Sequence, residues 1–352
     1  MSERILRKTW EAAAYNRETN EWDTTTLHSY ENSTSIEDLL VRPAVENEAR
    51  PIVPITSTQH ETVTLLGGDA QFPFADEIAV EQFLALAELS SPDEIVLTGD
   101  MTDFPALSKY QQRKEWVGST QASIDQYYTF LRRLRETAPN AQIAAVHGNH
   151  EQRLINTLER HLTEVAGLKR AMGNRALLSV QHLARYDELG IESVDGYPNG
   201  TLWLDDTLKV VHGTNTRKGG SNAARYLTTE PESTIYGHTH RMEVAYRTRA
   251  TRLGHATVSA SSPGCLASID GTVPSFYFTP NADGEVVKKA EDWQQGALLV
   301  TRQNNLHDIT PVRFGEDGFR FNGVKYQIKP LDDFDKTVEH LKDIDEAGGF
   351  DL

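Results

Sequence analysis

A chain of 352 residues, 38% of them hydrophobic and with a formal net charge of -16, can bury one large domain, or a core of roughly 200–250 residues with extensions at both ends. So acidic a surface repels polyphosphate at long range and excludes a protein that coats nucleic acid non-specifically, although a local groove or a metal-lined cleft for a phosphodiester stays open. Cys265 is the one cysteine, which rules out an internal disulfide and a thiolate-rich zinc site.

The first residues, MSERILRKTWEAAAYN, lack the apolar core of a secretory signal, and no run approaches the roughly 20 apolar residues of a membrane span. A soluble, cytoplasmic protein without membrane partners is expected. Residues 1–60 read as an N-terminal extension. TWEAAAYN and WDTTTLHSYE flank the turn-like RETNE and predict a β-hairpin arm, and a polar, proline-punctuated linker follows. Such an arm suits homo-oligomer formation.

From Glu61 strands and helices alternate. TVTLLGGD predicts a strand, DEIAVEQFLALAEL a helix and DEIVLTGD a second strand. A long helical segment then runs to Pro139, AQIAAVHGNHE gives a third strand, and RLINTLERHLTEVAG gives one further helix. This order implies right-handed crossovers and a partly parallel sheet, whose ligand sites lie at the carboxyl ends of the strands. The second half is richer in strand: TLWLDD, LKVVHGT, STIYGHTH, EVAYRTR and HATVSASSPG. The main domain is expected to span residues 61–290. Residues 291–352 read as a C-terminal β-rich extension, with a hairpin at FGEDGFRFNG and a final acidic helix.

The polar groups at the strand ends are Asp69, Asp100, Asp103, Asn149, His150, His212, His238 and His240. Carboxylates, an amide and imidazoles without thiolate suit Mn²⁺, Mg²⁺, Zn²⁺ or Fe. They are too many for one ion and about enough for two, if one carboxylate bridges.

In order, the blocks GGDAQ, TGDMTD, GNHE, VVHGT and GHTH, each after an apolar strand, resemble the calcineurin-like metallophosphoesterase superfamily. The resemblance covers Val63 to Gly264, including the SSPG turn. It implies a four-layer αββα sandwich, two mixed β-sheets flanked by helices. It also implies two divalent cations, Mn²⁺ first and Mg²⁺, Zn²⁺, Fe or Ni²⁺ as the other choices. Asp69 and His240 would hold the first ion, Asn149, His212 and His238 the second, and Asp100 would bridge them. His150 would stand beside the substrate as a catalytic group, oriented by Asp103, and Glu151 would support its loop. The form GNHEQR with DAQ is also similar to metallophosphoesterases of phages and bacteria, in which case the cytoplasm would be that of the host.

One position departs from the pattern, since Gln71 stands where the family has the first histidine of Asp-x-His. Three readings stay open: Gln71 binds the first ion weakly and favours Mn²⁺ or Mg²⁺, it holds a water on that ion, or the first site is empty. Arg153, Arg217, Arg225 and Arg241 lie near the motifs and are candidates for phosphate contact. His147 and His255 read as packed or hydrogen-bonded, and Cys265 as packing.

The leading functional expectation is a dinuclear metal-dependent phosphodiesterase that hydrolyses a small phosphodiester or nucleotide through a metal-bound hydroxide. A nuclease acting on DNA or RNA ends is the alternative, and it requires a basic or aromatic groove in the first 60 residues or the C-terminal β-rich segment. A non-catalytic binding protein on a decayed core is the third reading, and Gln71 is its support.

Overall fold

The computed structural model describes residues 14–16, 21–23, 61–109, 118–216, 221–251, 254–274, 278–280, 286–288 and 292–328. The chain divides after Thr58 into two compact units. In the first, β1 (Ala14–Asn16) pairs antiparallel with β2 (Glu21–Asp23), with Tyr15 opposite Trp22.

The second unit contains two mixed sheets. The larger runs β15 (Leu306–Arg313), β14 (Gly296–Gln303), β3 (Thr62–Gly67), β4 (Glu94–Leu97), β5 (Gln142–Val146) and β6 (Ile191–Val194). From β3 to β6 the strands are parallel, and β14 pairs antiparallel with both its neighbours. The smaller sheet runs β10 (Met242–Thr251), β11 (Gly254–Pro263), β9 (Ser233–Tyr236), β8 (Leu208–Val211) and β7 (Thr201–Trp203). Within it β11, β9 and β8 are parallel. β12 (Phe278–Pro280) pairs antiparallel with β13 (Val286–Lys288), and β16 (Phe319–Phe321) with β17 (Val324–Tyr326).

Alternation along the strands explains the layering, because successive side chains leave a strand on opposite faces. Leu66, Val96, Val146, Leu298 and Val300 point across to Leu208, Val210 and Ile235 of the facing sheet. Their neighbours Leu65, Ile95, Leu97, Ile143 and Leu299 pack under helices. With both faces buried, these strands read as unbroken apolar runs. On the outer face of the large sheet lie α1 (Glu77–Ser90) and α2 (Ser119–Thr137), which bury Phe83, Phe130 and Leu134. Against the outer face of the small sheet, Ala223, Tyr226 and Leu227 pack on Tyr236, Val258 and Ala260. The result is helix, sheet, sheet, helix.

Local chemistry sets the helix limits. The Asp76 carboxylate accepts the Ala79 N–H at 2.9 Å and starts α1. The segment expected as one helix after β5 is split into α3 (Glu151–His161) and α4 (Thr163–Ala166). The Thr163 hydroxyl donates to the Glu159 carbonyl at 2.8 Å, taking the acceptor that its backbone N–H would otherwise use. Two further single-turn helices, α5 (Val180–Leu183) and α6 (Tyr186–Leu189), lead into β6, while α7 (Asn222–Thr229) precedes β9.

Two features differ from the sequence reading. β6, a polar strand at the sheet edge, carries no apolar run to announce it. More important, QQGALLVTR is not an extension beyond residue 290: it forms β14 and lies between β15 and β3, with Leu298 opposite Leu66 and Val300 opposite Thr64. Residues 296–313 therefore complete the large sheet. The expected FGEDGFRFNG hairpin turns slightly later, at Asn322 and Gly323, between β16 and β17. The final acidic helix falls outside the described residues, among which no helix is long and apolar enough to cross a membrane.

Candidate metal centre

The loops that leave β3, β4, β5, β8 and β9 at their carboxyl ends meet at one place. Asp69 N–H donates to the Gly99 carbonyl at 2.9 Å, Gln71 N–H to that of Asp100 at 3.0 Å, and Gly237 N–H to that of His212 at 3.0 Å. After the SSPG turn, Leu266 N–H and Ala267 N–H clamp the carbonyls of Gly68 and Asp69 from the other side, at 3.0 and 3.1 Å. Turning the side chains inward takes unusual backbone. Asp69, Gln71, Asp100, His238 and His240 have φ of 51°, 53°, 51°, 68° and 56°. Each left-handed non-glycine residue costs on the order of 1–3 kcal/mol, strain that gathers at functional sites and is held by the surrounding bonds.

Glu151 is the main such support. Its buried carboxylate accepts Gly148 N–H at 2.8 Å, Asp100 N–H at 3.0 Å, Thr102 N–H at 3.0 Å and the Thr102 hydroxyl at 3.2 Å. It ties the β4 loop to the β5 loop without reaching the cleft. The two loops come so close that a Cβ at Gly148 would lie 2.1 Å from Asp100 Oδ1, which only glycine permits.

Two sets of donors result. In the first, His240 Nε2 lies 3.2 Å from Asp69 Oδ1 and 3.2 Å from the Gln71 amide nitrogen. In the second, His212 Nε2 lies 3.1 Å from Asp100 Oδ2 and 3.2 Å from Asn149 Oδ1. Ligand atoms of Asp100, His212 and His238 lie within 4.8 Å of one another. The sets abut, because His238 N–H points at both Asp69 oxygens at 3.0 Å. Asp69, Gln71, Asp100, His212 and His240 are all buried.

The electrostatics are those of a site that holds positive charge. Burial alone would raise the Asp100 carboxyl, yet His150 and His212 outweigh it and hold it well below the usual carboxylate range. Burial alone would lower the His212 imidazole, but the charge of Asp100 and their hydrogen bond, with Asp69 behind, lift it to about 10. Among the described residues, Gln71 Oε1 and His240 Nδ1 are buried without a hydrogen-bond partner. The unpaired buried Gln71 oxygen, beside carboxylates and imidazoles, fits a hard or borderline divalent cation.

His150 stands outside both sets. Its backbone N–H donates to Asp100 Oδ1 at 2.8 Å, its Nδ1 rests against Asp103 Oδ1, and its Nε2 is 3.7 Å from Asp100 Oδ2. Burial opposes a charged ring, but Asp100 and Asp103 raise its pKa above the ordinary value. Arg153 braces this pair, donating to the Asp103 carboxylate at 2.9 Å and approaching His150 Nε2 at 3.0 Å.

The other candidates are placed differently. Arg241 turns away to Asp292, at 3.4 Å from its carboxylate. Arg225 is exposed on α7, and Arg217 lies outside the described residues. His147 is buried between Ser193 and Asp195, at 3.3 Å from each. Two aromatic residues at the centre escaped the sequence reading: Tyr197, its ring 5.8 Å from that of His212, and Trp293, 4.0 Å from that of His240. Both sit in loops, where no periodicity marks them.

The Gene 54 proteins of Mycobacterium phages L5 and D29 are 23% and 24% identical over 265 and 268 residues, each alignment covering 71% of this chain and 94% of the relative. Among solved structures, Yfce, a phosphoesterase from E. coli, is 16% identical with a TM-score of 0.29, covering 64% of this chain and 97% of that one. Vacuolar Protein Sorting 29 from Cryptosporidium parvum is 12% identical with a TM-score of 0.36, covering 77% and 100%. The family model described as calcineurin-like phosphoesterase matches residues 65–242, just over half of the chain and the span from β3 to the start of β10. The chain belongs to the calcineurin-like phosphoesterase family, whose members are metal-dependent hydrolases of phosphoesters.

Proposed function

We propose that this chain is a two-metal phosphodiesterase, with Asp69, Gln71 and His240 serving one cation and Asn149, His212 and His238 the other, Asp100 between them. The observation that carries the reading is the pair of abutting donor sets, with one imidazole outside both and a buried carboxylate behind it. Divalent cations in such a site polarise the phosphoryl group and make water acidic enough to supply the nucleophile. Mn²⁺ and Mg²⁺ suit Gln71 better than Zn²⁺ does, because an amide oxygen is a hard and weak donor.

The chain's own groups do the rest. Asp103 fixes the His150 ring at Nδ1, and Arg153, 3.0 Å from Nε2, has to yield that nitrogen to the substrate before His150 acts. His150 then hydrogen-bonds a phosphoryl oxygen and passes a proton to the departing alkoxide. A diester fits better than a monoester, because Arg153 is taken up by Asp103 and Arg241 by Asp292. Neither is left to balance the second negative charge of a monoester.

Stripped of metal and given Mn²⁺, Mg²⁺, Zn²⁺ or Ni²⁺ separately, the protein is expected to cleave bis-p-nitrophenyl phosphate. Its kcat/KM for that diester should exceed that for p-nitrophenyl phosphate by about tenfold, or about 1.4 kcal/mol. A preference for the monoester, or no cleavage with any ion, would reject the reading. His150→Ala should lower kcat by roughly 10²–10⁴-fold, the usual worth of a positioned acid, while metal content by elemental analysis stays at the wild-type level. Metal lost in step with activity would instead make His150 a ligand.

A further inference from the structure

The proposed reaction leaves one polar group at the centre without a task, the phenol of Tyr197. This residue is delivered by the loop that leaves β6 at its carboxyl end, beside the β5 loop that carries Asn149 and His150. Its half-buried ring lies 5.8 Å from that of His212, inclined at 64° to it. Among the described residues its hydroxyl makes no hydrogen bond. Packing against a histidine needs only the ring, and a tyrosine taken out of water ordinarily finds a partner for its hydroxyl.

The loop that presents Tyr197 is held in place. His147 N–H donates to the Val194 carbonyl at 3.0 Å, and the buried His147 ring lies 3.3 Å from Ser193 Oγ and 3.3 Å from Asp195 Oδ1. The Gln181 amide donates to the other Asp195 oxygen. Asn199 N–H and Gly200 N–H both donate to the Gly196 carbonyl, at 2.8 and 3.0 Å, and Gly196 has φ of 90°. They close a turn with Tyr197 at its second position. His147, a buried imidazole outside both donor sets, thus fastens the β6 loop to the β5 loop. A donor fixed in this way needs no reorganisation at the moment of reaction.

Charge says what such a donor serves. Arg153 is held by Asp103 and Arg241 by Asp292, and a diester carries a single negative charge. Its remaining oxygen calls for a neutral donor, which a phenol supplies at neutral pH. Partial burial and the Asp100 carboxylate both push the Tyr197 pKa up, so the phenol lies within the field of that carboxylate. We infer that Tyr197 is a substrate-binding residue, its hydroxyl donating to a non-bridging oxygen of the phosphodiester on the His212 side of the centre. The inference deepens the phosphodiesterase reading and rests on it. Tyr197 takes the place of the guanidinium that a dianionic monoester would favour.

Tyr197→Phe in the full chain tests the hydroxyl alone, because it keeps the ring against His212. Its kcat/KM for bis-p-nitrophenyl phosphate should fall by roughly 10–10²-fold, as expected for one lost hydrogen bond to a charged group. Metal content and the midpoint of thermal unfolding should stay at the wild-type level. The second probe is dimethyl phosphate, a diester without a good leaving group, titrated into the Mg²⁺-loaded protein and followed by phosphorus NMR. Its affinity should fall by about tenfold in the variant. Wild-type kcat/KM and affinity in Tyr197→Phe would overturn the assignment while leaving diester hydrolysis intact. Metal lost in step with activity would overturn it too, and would make Tyr197 a support for His212. A wild-type protein that cleaves no diester with any metal, yet binds dimethyl phosphate about tenfold more tightly than the variant, would uphold the contact and remove the phosphodiesterase reading instead.

Discussion

Asp100→Asn is expected to bring phosphodiester hydrolysis down by at least about 10³-fold, roughly 4 kcal/mol of transition-state stabilisation, with loss of bound metal. Among the described residues, Asp100 is the one carboxylate that touches both the second donor set, at His212, and the backbone N–H of His150. The amide has the same shape. Its oxygen can still accept the His150 N–H and its nitrogen can donate to His212 Nε2, so the fold should persist. What disappears is the negative charge that balances two histidines and draws in a cation. Elemental analysis and hydrolysis on the same sample make the check, and a variant with full metal and full rate would show that Asp100 has no part in the centre.

Glu151→Ala should produce the largest loss of stability available near the site, about 4 kcal/mol. Three backbone N–H groups and one hydroxyl, from Gly148, Asp100 and Thr102, converge on its carboxylate. Each buried donor left without an acceptor costs on the order of 1–3 kcal/mol, and a water entering the space recovers part of the sum. A midpoint of thermal unfolding lower by about 8–15 °C is expected. Glu151→Gln should fall between that variant and the wild type, because an amide keeps one acceptor but faces the remaining N–H groups with a donor. A change of less than about 2 °C would mean that the left-handed turns of the metal loops need no such anchor.

Which parts of this architecture can be read in advance follows from how each is encoded. Asp69, Asp100, Asn149, His212 and His238 stand just past apolar strands, so that a strand and a polar residue after its end suffice to place them. Glu151 sits next to His150 in sequence, and its supporting part follows from its one-residue offset on α3. β14 was legible as a strand but not as a central one, since its partner Thr62–Gly67 lies more than 200 residues earlier. Strand propensity is local, whereas pairing is decided by which unpaired edge remains. Tyr197 and Trp293 were not legible at all: each reaches the centre from a loop, and no spacing rule links a lone aromatic residue to a histidine far along the chain. Gln71 falls between these cases. Its place beside Asp69 and His240 was readable from the motif, whereas its unpaired carbonyl became apparent only with the packing.

The place of β14 also has a consequence for how the protein comes into being. Until residues up to Gln303 have left the ribosome, β3 has one open edge, and that strand carries Asp69 and Gln71 on the loop that follows it. The nascent chain by then holds every donor of the proposed centre, yet not the strand that closes the sheet beneath them. Closing a loop of that length is slow, and an unpaired apolar edge invites pairing with other chains while it lasts. The sheet beneath the proposed centre is thus completed only after all of its donors have been synthesised.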